Sequence, residues 1–230
     1  MKIVLFDIDG TLLWSDGAGR RAITRALLEV FGATGPADHW FDGKTDPQIV
    51  RELMTHAGIA EDVIEARMEA LVARYVELLD EELRAPDHVV RALPGVPDLL
   101  DALEARNDVL LGLLTGNVQP GARAKLGAVG IDPDRFRVGA YGSDHGSRPE
   151  LPAIAQRRAR ALLEREVAGD AMIVIGDTPA DLTCGRGVGA RAVGVATGRY
   201  SVQQLSEYEP FAVFENLADT DRVVATLTGD

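Results

Sequence analysis

Positive charge is scarce in this sequence. Lys and Arg number 24 against 36 Asp and Glu, a formal net charge of -12 over 230 residues. That balance argues against a partner held by its phosphate backbone, because such binding rests on Lys and Arg. DNA, RNA and anionic membranes are disfavoured as partners. Cysteine is nearly absent: Cys184 stands alone, so no disulfide can form within the chain and nothing calls for an oxidising compartment. No apolar run approaches the roughly 18 residues of a membrane span. The start, Met1-Lys2 and then Ile3 to Phe6 before Asp7, falls far short of a signal-peptide core. A cytoplasmic location is the expectation. Internal repeats and low-complexity tracts are missing, and His39, His56, His88 and His145 show no metal-ligand spacing.

What is present is the composition of an ordinary soluble protein, 46% hydrophobic and 26% charged, long enough for one core domain and a smaller one. Ile3 to Phe6 is a short apolar run ended by Asp-Ile-Asp-Gly, which reads as a buried strand stopping at a turn. Similar runs lie at Val109 to Leu114, Met172 to Ile175 and Ala192 to Val195, with a weaker one at Arg137 to Ala140. Helical patterns fall between them, so βαβ units and a parallel sheet covered on both faces are expected. Residues 17–84 differ. They carry helical periodicity without a credible strand: Ala22, Ile23, Ala26, Leu27, Val30, Phe31, then Ile49, Val50, Leu53, Met54, then Ile64, Met68, Leu71, Val72, Tyr75, Leu78, Leu79. Asp46-Pro47 offers a cap and a first-turn proline for the second of these helices. The Glu-rich stretch Asp80 to Leu83 reads as a solvated face. The expectation is an α/β fold, a doubly wound parallel sheet over 1–16 and 85–230, with a small all-helical insert over 17–84 after the first strand.

Chemistry gathers at the strand ends, where open parallel sheets bind ligands. Asp7 and Asp9 are two apart, so their carboxylates point to the same side of the strand end. The strand at 109–114 ends in Thr115-Gly116-Asn117 ahead of a helical pattern, and a hydroxyl with free amides at a helix start can cradle phosphate. The strand at 172–175 ends in Gly176-Asp177-Thr178-Pro179-Ala180-Asp181, adding two carboxylates. Four acids at the ends of two strands would repel one another unless a hard cation sat among them, and oxygen ligands of this kind suit Mg²⁺. Gly185-Arg186-Gly187-Val188-Gly189 looks dinucleotide-like but follows a helical segment instead of opening one.

These segments, in this order, resemble the haloacid dehalogenase superfamily, whose phosphatases show Asp-x-Asp-Gly-Thr, hydrophobic-Thr/Ser, a Lys or Arg, and Gly-Asp-x-x-x-Asp. Asp7-Ile8-Asp9-Gly10-Thr11, Leu114-Thr115-Gly116-Asn117 and Ile175-Gly176-Asp177-Thr178-Pro179-Ala180-Asp181 match. The third motif departs from the usual Lys-Pro: Ser147-Arg148-Pro149 puts Arg148 in the lysine's place, and Arg can grip phosphate bidentately. Lys125 is the other candidate for that cation. The resemblance implies a Rossmann-like core with a cap, Asp7 as nucleophile forming an aspartyl-phosphate, and Asp9 as general acid and base. It further implies Mg²⁺ held by Asp7, the Asp9 main-chain carbonyl, Asp177 and Asp181 directly or through water. Thr115, Gly116, Asn117 and Arg148 would hold the phosphate, assisted by amides near Ile8 and Asp9.

The insert lies where this superfamily places its type 1 cap, which implies a phosphoglycolate-phosphatase-like enzyme acting on a small phosphorylated metabolite. A β-phosphoglucomutase-like phosphomutase is the alternative; Asp9 disfavours a dehalogenase, and the intact Asp7 and Asp9 pair disfavours a noncatalytic binding protein. Lys44 in Gly43-Lys44-Thr45-Asp46 is a candidate for contacting the leaving group, with Arg20 and Arg21 behind it. The substrate's identity and the oligomeric state are left open by the sequence.

Overall fold

Lys2-Ile3-Val4-Leu5-Phe6 forms strand β1 (Lys2–Phe6), and its alternation serves two cores at once. Val4 and Phe6 face one apolar cluster while Ile3 and Leu5 face another, so neither face of the strand meets water. Each such side chain contributes about 1.5–3 kcal/mol by burial. The computed structural model describes residues 1–229. A two-residue strand β2 (Leu13–Trp14) precedes three helices, α1 (Ala18–Phe31), α2 (Asp46–His56) and α3 (Glu61–Arg84). Strand β3 (Arg91–Ala92) pairs antiparallel with β2, closing the excursion where it began. Then follow α4 (Val96–Glu104), β4 (Val109–Leu114), α5 (Gln119–Ala128), β5 (Val138–Ala140) and α6 (Leu151–Leu163). The chain ends with β6 (Met172–Gly176), α7 (Pro179–Cys184), β7 (Arg191–Val195), α8 (Val202–Ser206), β8 (Ala212–Phe214) and α9 (Thr220–Thr228).

The main sheet has the order β5-β4-β1-β6-β7-β8, and every pairing in it is parallel. β1 is central, with the chain running outward from it first through β4 and later through β6. The crevice at that reversal is where an open α/β sheet takes its ligand. α4, α5 and α9 cover the face bearing Val4 and Phe6, and α6 covers the face bearing Ile3 and Leu5. This is the doubly wound α/β architecture expected from the pattern of apolar runs.

The helices α1 to α3 share an apolar cluster of their own, and it continues into Val118 and Ala124 at α5. The insert therefore sits on α5. Three details differ from the sequence expectation. β8 and the β2–β3 pair were not anticipated, because two or three residues give no readable alternation. Thr45, not Asp46, caps α2: its hydroxyl accepts from the Gln48 N–H, while Asp46 and Pro47 are the first helical residues. The stretch Asp80 to Leu83 is not wholly solvated either. Glu82 is 12% exposed and pairs with Arg21 and Arg25, and Leu83 is buried.

Candidate active site

Asp7 and Asp9 leave the end of β1 in a tight turn completed by Gly10, whose φ of 79° suits glycine. A Cβ there would also run into the Asp177 carboxylate, so this glycine permits the first and last acidic segments to meet. Asp177 follows β6, and Asp181 lies in the first turn of α7. Thr178 caps that helix, and its N–H and hydroxyl both donate to Asp181 Oδ2, at 3.0 and 2.6 Å. Carboxylate oxygens of Asp7, Asp177 and Asp181 lie within 4.8 Å of one another, all three residues buried. The Asp9 carboxylate stands outside that trio.

The trio carries more negative charge than it can hold without help. Burial is the largest influence on Asp7; Arg148 opposes it, Asp181 and Asp9 reinforce it, and the pKa is pushed up to about 7. Burial, with Asp181 and Asp7 adding, raises Asp177 well above the usual carboxylate range. Hard oxygen donors short of compensating charge fit a divalent cation. Arg148, expected to grip phosphate, is 5% exposed and donates from Nη2 to Asp7 Oδ1 at 3.0 Å and to Asp181 Oδ1. Its Nε is buried without a hydrogen-bond partner.

Around Asp9 the surroundings are the opposite. Its Oδ2 accepts from Lys125 Nζ at 2.6 Å and Asn117 Nδ2 at 2.9 Å, and its Oδ1 from Ser15 Oγ at 3.1 Å. Burial disfavours the charged form, but the Lys125 charge and these hydrogen bonds overcome it and hold Asp9 below the ordinary carboxylate value. Lys125 also donates to Asn117 Oδ1 at 2.6 Å, and Asn117 Nδ2 to Thr115 Oγ1 at 2.8 Å. Asn117 is thus a bridge between Thr115, Asp9 and Lys125.

The amides at the start of α5 are not the open cradle the sequence suggested. Asn117 N–H donates to Thr115 Oγ1, Val118 N–H to Asp46 Oδ2 and Gln119 N–H to Ser143 Oγ. Among the described residues only Gly116 N–H in this loop is left without a partner, beside the Thr115 hydroxyl. Gly116 also receives the insert: a Cβ there would collide with the Lys44 carbonyl, and its own carbonyl accepts from Asp46 N–H at 2.8 Å.

Between sheet and insert lies a cavity of about 380 Å³, lined by Asp7, Asp9, Thr115, Arg148 and Asp177 below and by Tyr75 among the insert residues above. That size suits a small ligand. Lys44 also lines it, but its Nζ is ion-paired with Glu52 and lies 3.3 Å from His39 Nε2. Arg20 lines it as well, stacked over Phe41 with its guanidinium carbon 3.7 Å from the ring centroid. Arg21 instead points to Glu82 and the Asp16 carbonyl. Gly185 to Val188 form a single turn after α7, away from this cavity. Ser15, and Asp46 and Tyr75 beyond their helix positions, carry no sign in the sequence that they belong to this site. Lys125 could have been singled out more sharply, because Val118, Ala122, Lys125 and Leu126 form one helical stripe, and a lysine on a buried stripe requires a partner.

A family profile described as haloacid dehalogenase-like hydrolase matches residues 4–186. A phosphoglycolate phosphatase of Rhodospirillum rubrum is 30% identical over 227 residues, covering 94% of this chain and 88% of that protein. Protein CbbY of Cereibacter sphaeroides is 27% identical over 246 residues, covering 100% and 96%. Among solved structures, a β-phosphoglucomutase of Clostridium difficile superposes with a TM-score of 0.72 at 18% identity, covering 100% of this chain and 98% of that one. At that identity the likeness speaks for the fold alone.

Proposed function

Because the chain belongs to the haloacid dehalogenase-like hydrolases and is a phosphatase of that type, we propose that it hydrolyses a small phosphomonoester through an aspartyl-phosphate on Asp7. The observation that carries this reading is the convergence of Asp7, Asp177 and Asp181 with Arg148 on one side and Asp9 on the other. In this reading residues 17–84 act as a cap that closes the cavity and excludes water. No described helix is long and apolar enough to cross a membrane.

Asp7, Asp177 and Asp181, with the Asp9 main-chain carbonyl, would hold Mg²⁺. Bound there, the ion supplies positive charge to the transferring phosphoryl group. Arg148, the Thr115 hydroxyl and the Gly116 amide would bind the phosphate oxygens and orient phosphorus toward Asp7. A carboxylate oxygen of Asp7 attacks phosphorus and the bond to the leaving oxygen breaks. Asp9, ionised in the free protein by its Lys125 and Asn117 bonds, must take up a proton when substrate binds, and gives it to that oxygen. Asp9, now a carboxylate, takes a proton from water as the water oxygen attacks the aspartyl-phosphate. Inorganic phosphate leaves and Asp7 is restored.

The Rhodospirillum relative is a phosphoglycolate phosphatase, so phosphoglycolate is the first substrate to test. Lys44 lines the cavity and would contact the leaving group only by giving up its ion pair with Glu52. A panel of phosphorylated metabolites with Mg²⁺ tests the reading: turnover should disappear on chelation and in Asp7→Asn. Sugar phosphates are assayed with and without a sugar bisphosphate, since a bisphosphate requirement would mark a phosphomutase instead. Activity retained by Asp7→Asn would end the proposal.

A further inference from the structure

Two buried cations reach the reacting carboxylates, and they divide between them. Arg148 bonds Asp7, whereas Lys125 bonds Asp9 and Asn117. Both line the cavity, but the Lys125 side chain is 5% exposed and the Asp9 side chain it holds is 39% exposed, so the carboxylate is the more accessible of the two. Two of the amine's three protons go to Asp9 Oδ2 and Asn117 Oδ1. Asn117 donates to the same Oδ2, while Oδ1 has only the Ser15 hydroxyl. The two oxygens of Asp9 are thereby made unequal: Oδ2 is fixed by two donors and Oδ1 is left for proton exchange. The amine lies close to the insert: a Cβ at Gly19 would lie 3.2 Å from Lys125 Nζ and 3.6 Å from the Tyr75 hydroxyl.

We infer that Lys125 is a positioning residue that fixes the orientation of Asp9 for proton transfer, and not the cation that grips the phosphate. The inference rests on the proposed role of Asp9 and deepens it. Lys125 belongs to α5, the core helix on which the insert is seated, so the orientation of Asp9 is tied to the docked position of the insert. Arg148 is bonded to Asp7, the residue that receives the phosphoryl group, whereas Lys125 is bonded to Asp9 and Asn117. Lys125 has its charge committed to Asp9.

The test compares kcat/KM for para-nitrophenyl phosphate, whose leaving group departs with little help from an acid, with that for glycerol phosphate, whose alkoxide needs a proton. Wild type, Asp9→Asn and Lys125→Met are measured with Mg²⁺. Met keeps the unbranched stem and removes the amine. General acid catalysis is worth on the order of 10²–10⁴-fold, so Asp9→Asn should lose much more on glycerol phosphate than on the aryl ester. Lys125→Met should show the same bias, about tenfold or more, with KM for glycerol phosphate little changed. Equal losses on both esters, or a loss confined to KM, would make Lys125 a phosphate ligand and overturn the inference; so would full activity. If Asp9→Asn itself shows no bias, the assigned role of Asp9 fails and takes this inference with it. Should Lys125→Met not fold, Lys125→Gln is read in the same way. A failure of both to fold would make Lys125 a structural residue only.

Discussion

The guanidinium of Arg148 is bonded directly to the carboxylate of Asp181 inside the protein, with side chains 5% and 0% exposed. The same nitrogen reaches Asp7, so the chain's own cation already offsets part of the charge of the acidic trio. Removing one partner of a buried pair leaves an uncompensated charge and costs about 3–5 kcal/mol. Arg148→Ala should therefore unfold at markedly lower urea than wild type in chelator and lose activity. Arg148→Lys restores the charge but not the planar fork, and should fall between the two in both measurements. Equal urea midpoints for Arg148→Ala and wild type would refute the role given to this pair.

Asp177 presents the reverse case, a buried carboxylate that the apo fold would be better without. Its pKa is held well above the ordinary range by burial and by Asp181 and Asp7, so its ionised form destabilises the metal-free protein near neutral pH. Asp177→Asn should raise Tm in chelator. It should also abolish most of the Tm increase that Mg²⁺ gives wild type, and most of the turnover. Stability and activity moving in opposite directions is the expectation for a site built around a cation it must wait for. A Tm in chelator below that of wild type would contradict it.

How much of this was legible beforehand follows from what is local in the chain. Asp7, Thr115 and Asp177 follow apolar runs and Asp181 lies one turn beyond, so their convergence could be inferred from strand ends and a parallel sheet, whereas the Asp9 carboxylate, grouped with them by spacing, lies outside the trio. The choice between Arg148 and Lys125 could not be made that way. It depends on which side of α5 faces Asp9 and on how the turn at Ser147 enters α6, both products of packing. Asp46 looks like a local cap in the sequence because nothing near it there shows that Val118 N–H would find it. The helix start at Asn117 looks open in the sequence for the same reason. Three of its donors are taken by partners, two of them, Asp46 and Ser143, distant in sequence.

Gly116 marks how closely the insert approaches the core. A methyl group there would meet the Lys44 carbonyl and approach the Thr45 Cα at 3.0 Å, and both are main-chain atoms that cannot rotate aside. Gly116→Ala should therefore push the 44–46 segment off the core and loosen the Asp46 N–H bond to the Gly116 carbonyl. Displacements of about 1 Å at such a site can cost about 10²-fold in rate. We expect kcat/KM to fall by about that much, with faster proteolytic cleavage near residues 41–46. Wild-type kinetics in Gly116→Ala would mean the insert need not dock there.

Asp46 links this docking to pH. It accepts from Val118 N–H at 2.8 Å, yet burial outweighs that bond, the Lys125 charge and the Tyr75 hydroxyl, raising its pKa to about 6. For an acid whose folded pKa exceeds its unfolded value near 3.8, the folded state binds the extra proton between the two values. Stability from this group is then greatest below about pH 4, declines as pH rises toward 6, and is constant above. The decline is on the order of 1–3 kcal/mol. Asp46→Asn keeps an acceptor for Val118 without the charge, so it should match or trail wild type at pH 4 and gain on it through pH 6. Urea midpoints of the two proteins at pH 4.5, 6 and 7.5 measure this directly. A difference independent of pH would show that Asp46 is ionised at its ordinary value, and that the insert docks on the core without the cost assigned here.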